Sequence, residues 1–344
     1  MTRFPSNNRP TAPRARIIGI VAFTAAVLLC ATTGLTAAHA DTTDNVQNQL
    51  SKTQQEVDSL FQLMDQSGIP DMQKQQLEID IKKKIITDVI AVSQAQIDNV
   101  RSQIEQATIP QTAAWQRVVD GFNTLLDANE RYYQTISDAI ATNPQMTNDD
   151  IRAIAGAMEK QKTNVIDPDI KHIQTVLATF NIENILSIAD AREKKVGSDV
   201  DKIYAKGLTQ NQWLKTAYDQ ASSSIADAHR ANELAQSIAL NMYADQTDTG
   251  TQKFMENLAG QIAQWEASST PATSTPTIDN PDASSTTSTP STSSSTPSTP
   301  DTVLTPSTEQ MRAYMESLVV ESLNNIQSAY ATFMQMSQNV KKYL

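Results

Sequence analysis

From residue 43 to residue 267, apolar side chains recur every three or four positions with only short interruptions. That spacing puts them on one face of a 3.6-residue helix, and no long stretch keeps the two-residue period of a strand. "LEIDIK" alternates briefly, but it lies inside a longer helical pattern. The periodicity predicts an all-α fold: an elongated up-and-down helical bundle, either single or two stacked bundles meeting near Asp167. Its neighbours should be antiparallel because the breaks between stripes are short. Scarce glycine, with 9 in 344 residues, suits long helices rather than tight sheet turns.

The first stripe holds Val46, Leu50, Val57, Leu60, Phe61 and Met64. It stops at "SGIPD", where Gly68 suits a left-handed cap and Pro70 the start of the next helix. The second runs from about Asp71 to Ala107 through Ile81, Ile85, Val89, Val92, Val100 and Ile104, with Lys82, Lys83 and Lys84 as a solvated patch beside it. A third runs from Trp115 to Ile140. Thr147, three residues before Asp150, marks a capping-box start. Asp167-Pro168-Asp169 reads as N-cap, first-turn proline and first-turn acid, predicting a new helix from there to Gly207. Thr209 caps the next, and a shorter helix carries Phe254, Leu258, Ile262 and Trp265.

The stripes then stop. From Ser269 to Thr308, 31 of 40 residues are Ser, Thr or Pro, a composition unable to bury enough apolar area to offset its ordering entropy. A disordered linker, 268–308, is expected, resembling surface-protein stalks in composition only. Beyond it lies an amphipathic helix, 309–344, opened by a Ser307/Gln310 capping box. Met311, Tyr314, Met315, Leu318, Leu323, Ile326, Tyr330, Phe333, Val340 and Tyr343 form its stripe. A lone helix with that stripe is not a stable end state in water. It is expected to dock on the bundle in cis or to self-associate, and a linker with an r.m.s. span of about 35 Å gives it reach along the bundle.

Residues 1–40 read as a signal peptide: Arg3, Arg9, Arg14 and Arg16, an apolar stretch from Ile17 to Leu29, and Ala38-His39-Ala40 as the cleavage site. The helical bundle domain then spans 41–267. This places the chain in the cell envelope or the secreted space. Cys30 is the only cysteine and falls in the removed segment, which excludes disulfides, thiolate metal sites and a cysteine nucleophile from the remainder. No acidic residue precedes Asp41, so the chain beyond it carries −15, against −11 for the whole. Such a surface repels phosphate backbones and anionic lipid, so nucleic acid is not an expected partner. No integral membrane span is expected in the mature chain.

Chemistry-bearing motifs are few. The sequence holds no H-E-x-x-H, G-x-S-x-G, Walker loop or dinucleotide fingerprint. Asp169-x-x-His172 and His229 with Glu233 each share a helix face, but a di-metal bundle site needs two Glu-x-x-His pairs and two more carboxylates. They read as ordinary solvated helix residues, Asp169 being part of a helix start. Asp245 to Glu256 partly resembles a calcium loop, with Asp at position 1, Gly at 6 and Glu at 12, while Thr247 and Thr249 stand at ligand positions that favour Asp or Asn. A glycine turn between two helices is the expected reading. Met311, Met315, Met334 and Met336 read as core or interface filler rather than copper ligands. Trp115, Trp213 and Trp265 read as core. No catalytic, cofactor-binding or metal residue is assigned, and no cofactor is expected. The expectation is an exported, non-enzymatic structural or protein-interaction module whose protein partner is met through the C-terminal helix or by self-association. Its rivals are a helical pore-forming toxin-like protein, for which no mature apolar run of 18 residues is present, and a small-molecule sensor bundle with a cleft near Trp115 or Trp213.

Overall fold

The computed structural model describes residues 70–208, 212–244, 248–269 and 305–340, together with Ser51 and Gln55. The signal segment, the stripe between Val46 and Met64, Thr209, Tyr343 and the body of the Ser/Thr/Pro stretch lie outside these residues. The protein is all-α, with no strand among the described residues. Its helices are α1 (Asp71–Gln106), α2 (Ala113–Thr142), α3 (Asn148–Gln161), α4 (Asp167–Ala205), α5 (Trp213–Met242), α6 (Thr249–Ser269) and α7 (Thr308–Val340). None of them is long and apolar enough to cross a membrane.

The helix ends follow local chemistry. Pro70 is the N-cap of α1 rather than its first residue, and its carbonyl accepts from the Gln73 N–H at 2.9 Å. At α3 the Thr147 side chain accepts from the Asp150 N–H while the Asp150 carboxylate accepts from the Thr147 N–H, a complete capping box. The same reciprocity opens α7, between Ser307 and Gln310 at 3.0 and 3.1 Å. At the end of α4, Gly207 takes φ +63°. This lets the Leu208 N–H reach the Ile203 carbonyl at 3.1 Å and the Gly207 N–H reach Tyr204 at 3.0 Å, the six-to-one and five-to-two bonds of a Schellman end.

Two expectations about element boundaries are corrected. Asp167-Pro168-Asp169 does not start a helix: the chain is helical without a break from Asn148 to Ala205. Lys162–Ile166 forms a π-helical turn, and Asp167 has helical angles, φ −63° and ψ −43°. Proline cannot donate to the ladder and its ring crowds the carbonyl four residues earlier, and a widened turn just before it relieves both problems. Ile166 and Ile170 are both buried, so one continuous stripe passes through the motif, and breaking the helix there would expose it. At the other correction, α5 begins at Trp213 with Gln212 as an N-cap that makes no side-chain bond.

Among the described residues the helices form two compact units, one holding 70–109 and Val119–Leu177, the other Pro110–Val118 and the described residues from Ala178 to Val340. The division falls inside α4 at Leu177, ten residues beyond the expected point. In the first unit, Ile81, Ile90, Ile97 and Val100 of α1 are buried along with Phe122, Leu126 and Tyr133 of α2 and Ile173 of α4. Lys82 is not solvated as expected. Its ammonium bonds Glu78 at 2.5 Å and the Asn148 side chain at 2.8 Å, tying α1 to the start of α3. Lys83 donates to the Asn143 carbonyl just past the end of α2 at 2.9 Å.

The second unit is built on α4, α5 and α7. Cross-helix bonds from Ser222 to Glu193 and from Gln236 to Glu183 run in opposite chain order, so α4 and α5 are antiparallel. Ala221, Ala228 and Ala235 repeat every seven residues on α5 and are fully buried, as are Met315, Ser322 and Ala329 at the same spacing on α7. Small residues let the two backbones approach until the Ser322 hydroxyl donates to the Ala228 carbonyl at 2.9 Å. The C-terminal helix therefore docks in cis, as a member of this unit.

Candidate functional site

The most polar part of the interior lies in the first unit, where α2 faces the beginning of α4. Asn129, Asp169 and His172 are all buried. The Asn129 amide donates to the Asp169 carboxylate at 3.5 Å, and the His172 ring stands edge-on to Phe122, with centroids 5.9 Å apart. Asp169 and His172 are thus not the solvated pair, nor Asp169 the helix-start acid, that spacing suggested. A continuous helix turns both inward. Nearby, burial pushes the Tyr133 phenol up to about 12, with the Ser93 hydroxyl pulling the other way and the Asp167 carboxylate adding to the rise. Ser93 itself donates to the Val89 carbonyl at 2.9 Å. A neutral tyrosine, an amide–carboxylate contact and an edge-on imidazole hold two helices in register.

In the second unit His229 meets Asp190 of α4, Nε2 to Oδ1, at 3.0 Å. Sequence spacing offered Glu233 instead, because a partner 39 residues away leaves no local signal. The calcium-loop resemblance fails on backbone grounds. Residues from Thr249 onward are helical, Gly250 has no positive φ, and Asp248 accepts from the Thr251 N–H at 3.0 Å as a helix cap. A coordinating loop would need that stretch to curl around an ion, whereas Glu256 rides one to two turns inside a helix. Asp245 and Thr247 lie outside the described residues. Among the described residues no three His, Cys, Asp or Glu side chains gather as a metal site.

Met311, Met315 and Met336 are buried in the core, while Met334 faces outward, so the four sulfurs do not converge. Trp115 is core, its ring 4.8 Å from that of Phe180, and Trp265 lies 5.6 Å from the Tyr314 ring. Trp213 is exposed and is not core. One cavity of this unit has neither Trp115 nor Trp213 in its lining. It measures about 640 Å³ and is lined by Met242, Met255 and Met311, with Gln252, Glu256 and Thr308 among its polar groups. Sequence reasoning missed it, because its three methionines come from three helices.

No family matches this chain. No curated protein and no solved structure is similar to it either. What remains informative is the surface. Nine large apolar side chains are exposed among the described residues, and five of them, Ile185, Ile188, Val320, Leu323 and Met334, lie on α4 and α7 of the second unit. Arg192 of α4 stacks over the Tyr330 ring of α7, 5.1 Å from its centroid, at the seam between those helices.

Proposed function

We propose that this is an exported, non-enzymatic helical-bundle protein of the cell envelope or secreted space that acts as a structural or protein-interaction module. The observation that carries this reading is the concentration of exposed apolar side chains on α4 and α7, since apolar patches rimmed by polar residues mark protein contacts. Export rests on the basic, apolar and A-x-A succession of residues 1–40. Crosslinking on intact producing cells, followed by identification of what is attached to α4 or α7, should recover protein, and the extracytoplasmic chain should begin at Asp41. Robust turnover of a hydrolase, oxidoreductase or transferase substrate would overturn the reading. Small-molecule sensing is favoured by one observation, the methionine-lined cavity of about 640 Å³. A ligand from a metabolite library that raises the melting temperature, with Met255→Glu abolishing the shift, would establish it. The pore-forming alternative predicts liposome leakage at nanomolar protein, and intact liposomes would remove it.

A further inference from the structure

From Ser322 to Val340 the sequence contains no charged residue, a run of 19 positions in a chain that is 19% charged. Those residues form most of α7. One side of the helix is sealed against α5. About 120° around the helix, at 100° per residue, a second stripe holds Val320, Leu323, Gln327, Tyr330 and Met334. Val320, Leu323 and Met334 are 51%, 44% and 57% exposed. Arg192 flanks the stripe through Tyr330, and Ile188, one turn earlier on α4, is 63% exposed.

We infer that this stripe binds a second copy of the chain, α7 against α7 in antiparallel sense. The inference rests on the reading of the protein as an interaction module and names the partner. Its first ground is charge. Each chain carries −15 beyond residue 40, so two copies repel over most of their surface. The uncharged face is where they meet without that cost. It also has the make-up of an interface centre, poor in charge and provided with tyrosine, methionine and arginine.

The second ground is the polarity of the stripe along the helix. The line that carries Leu323 and Met334 begins with Glu309 and Glu316, and in sequence it continues to Lys341. A parallel pair would put like charges side by side at both ends. An antiparallel pair sets the acidic end of one helix beside the basic end of the other, and Leu323 beside Met334. A pattern complementary to its own reverse fits a two-fold contact, in which the same patch serves both partners. The central Gln327 both donates and accepts, so it can bond its own copy. The exposed apolar side chains supply on the order of 400 Å² per copy, about half of the roughly 800 Å² that each partner of a standard interface buries. The neighbouring amides of α7 supply the rim.

The test uses the full chain in sedimentation equilibrium at micromolar concentration. The expected mass is that of two chains. Leu323→Glu with Met334→Glu should weaken association by at least about 100-fold, with helicity unchanged and with melting unchanged where both proteins are dilute enough to be monomeric, because both side chains are outside the core. In a chain carrying Cys30→Ser, a short bismaleimide should join Gln327→Cys to its mate. It should fail at Gln338→Cys, which an antiparallel pair separates by about 30 Å. A monomer at 100 µM, about 100 times a micromolar dissociation constant, or a dimer indifferent to the double substitution, would overturn the inference. Equal crosslinking at both positions would overturn the antiparallel arrangement. A monomer whose α7 captures an unlike protein on cells would remove the second copy as partner and leave the interaction-module reading standing.

Discussion

Asn232 is buried on α5, and its side-chain oxygen accepts no hydrogen bond. A buried acceptor left unmade costs about 1–3 kcal/mol, and leucine has a similar volume. Asn232→Leu should therefore stabilise the second unit by about 1 kcal/mol in denaturant unfolding. A loss of stability would show that the amide has a structural partner. Tyr133 makes the opposite kind of contribution. Its folded pKa is raised to about 12, mainly by burial, from the ordinary 10.0 of a tyrosine phenol. The folded state therefore holds the proton more tightly, and the associated stability is complete below pH 10. It is lost as pH rises from about 10 to 12, to the extent of about 2–3 kcal/mol at 1.36 kcal/mol per pH unit. Tyr133→Phe should remove that part of the alkaline slope, and Ser93 keeps its bond to Val89 in the variant. An unchanged slope would mean that the phenol is not sealed from water. The periodicity put Tyr133 on the third stripe, where it is buried, but it gave no sign of the sealed phenol or of the buried Asn232. The stripes name what is apolar, and a buried amide or phenol inside a stripe looks the same as one at its edge.

At the scale of the element, much could be read. The limits of α1, the capping boxes of α3 and α7 and the glycine end of α4 depend on neighbours within a few residues, and each stands where those neighbours place it. What local signals missed are features decided by distant contacts. The proline motif at Asp167 resembles a helix start in every local respect, and only the burial of Ile166 and Ile170 on one stripe explains why the helix continues. In α7 the apolar stripe drawn from large side chains included Leu323 and omitted Met336. The seam is set by Ser322 and Ala329, which are small because the α5 backbone lies against them. Leu318 is 4% exposed and Leu323 is 44% exposed, so the two should respond differently. Leu318→Asp should cost at least about 3 kcal/mol and release α7, whereas Leu323→Asp should cost less than about 1 kcal/mol. Thermal unfolding of both variants at submicromolar protein checks this, and equal losses would contradict the described seam.

For the whole molecule, the Ser/Thr/Pro stretch takes on a different meaning from the one its composition suggests. A stalk would separate what it connects. Here its two flanks meet: the Gln310 amide at the start of α7 donates to the Glu266 carboxylate near the end of α6 at 3.0 Å, and Trp265 lies against Tyr314. The stretch leaves the second unit and returns to the same place, so its reach is not needed for docking. It is an insertion between two neighbouring helices, and α7 belongs to the fold. Composition could not show this, because the return is fixed by α5 and α6 and not by the insert. Loop closure entropy changes by only about 0.6 kcal/mol for each halving of length. Replacing residues 270–304 with about ten Gly/Ser residues, long enough to span roughly 30 Å, should therefore leave the fold intact. Hydrogen exchange across α7, in the full chain and in this shortened one, tests the account most directly. The account predicts slow exchange from Met311 to Met336 in both, matching that of α5. Rapid exchange throughout α7 in the full chain would contradict it, because the helix would then be a tethered segment and not part of the bundle.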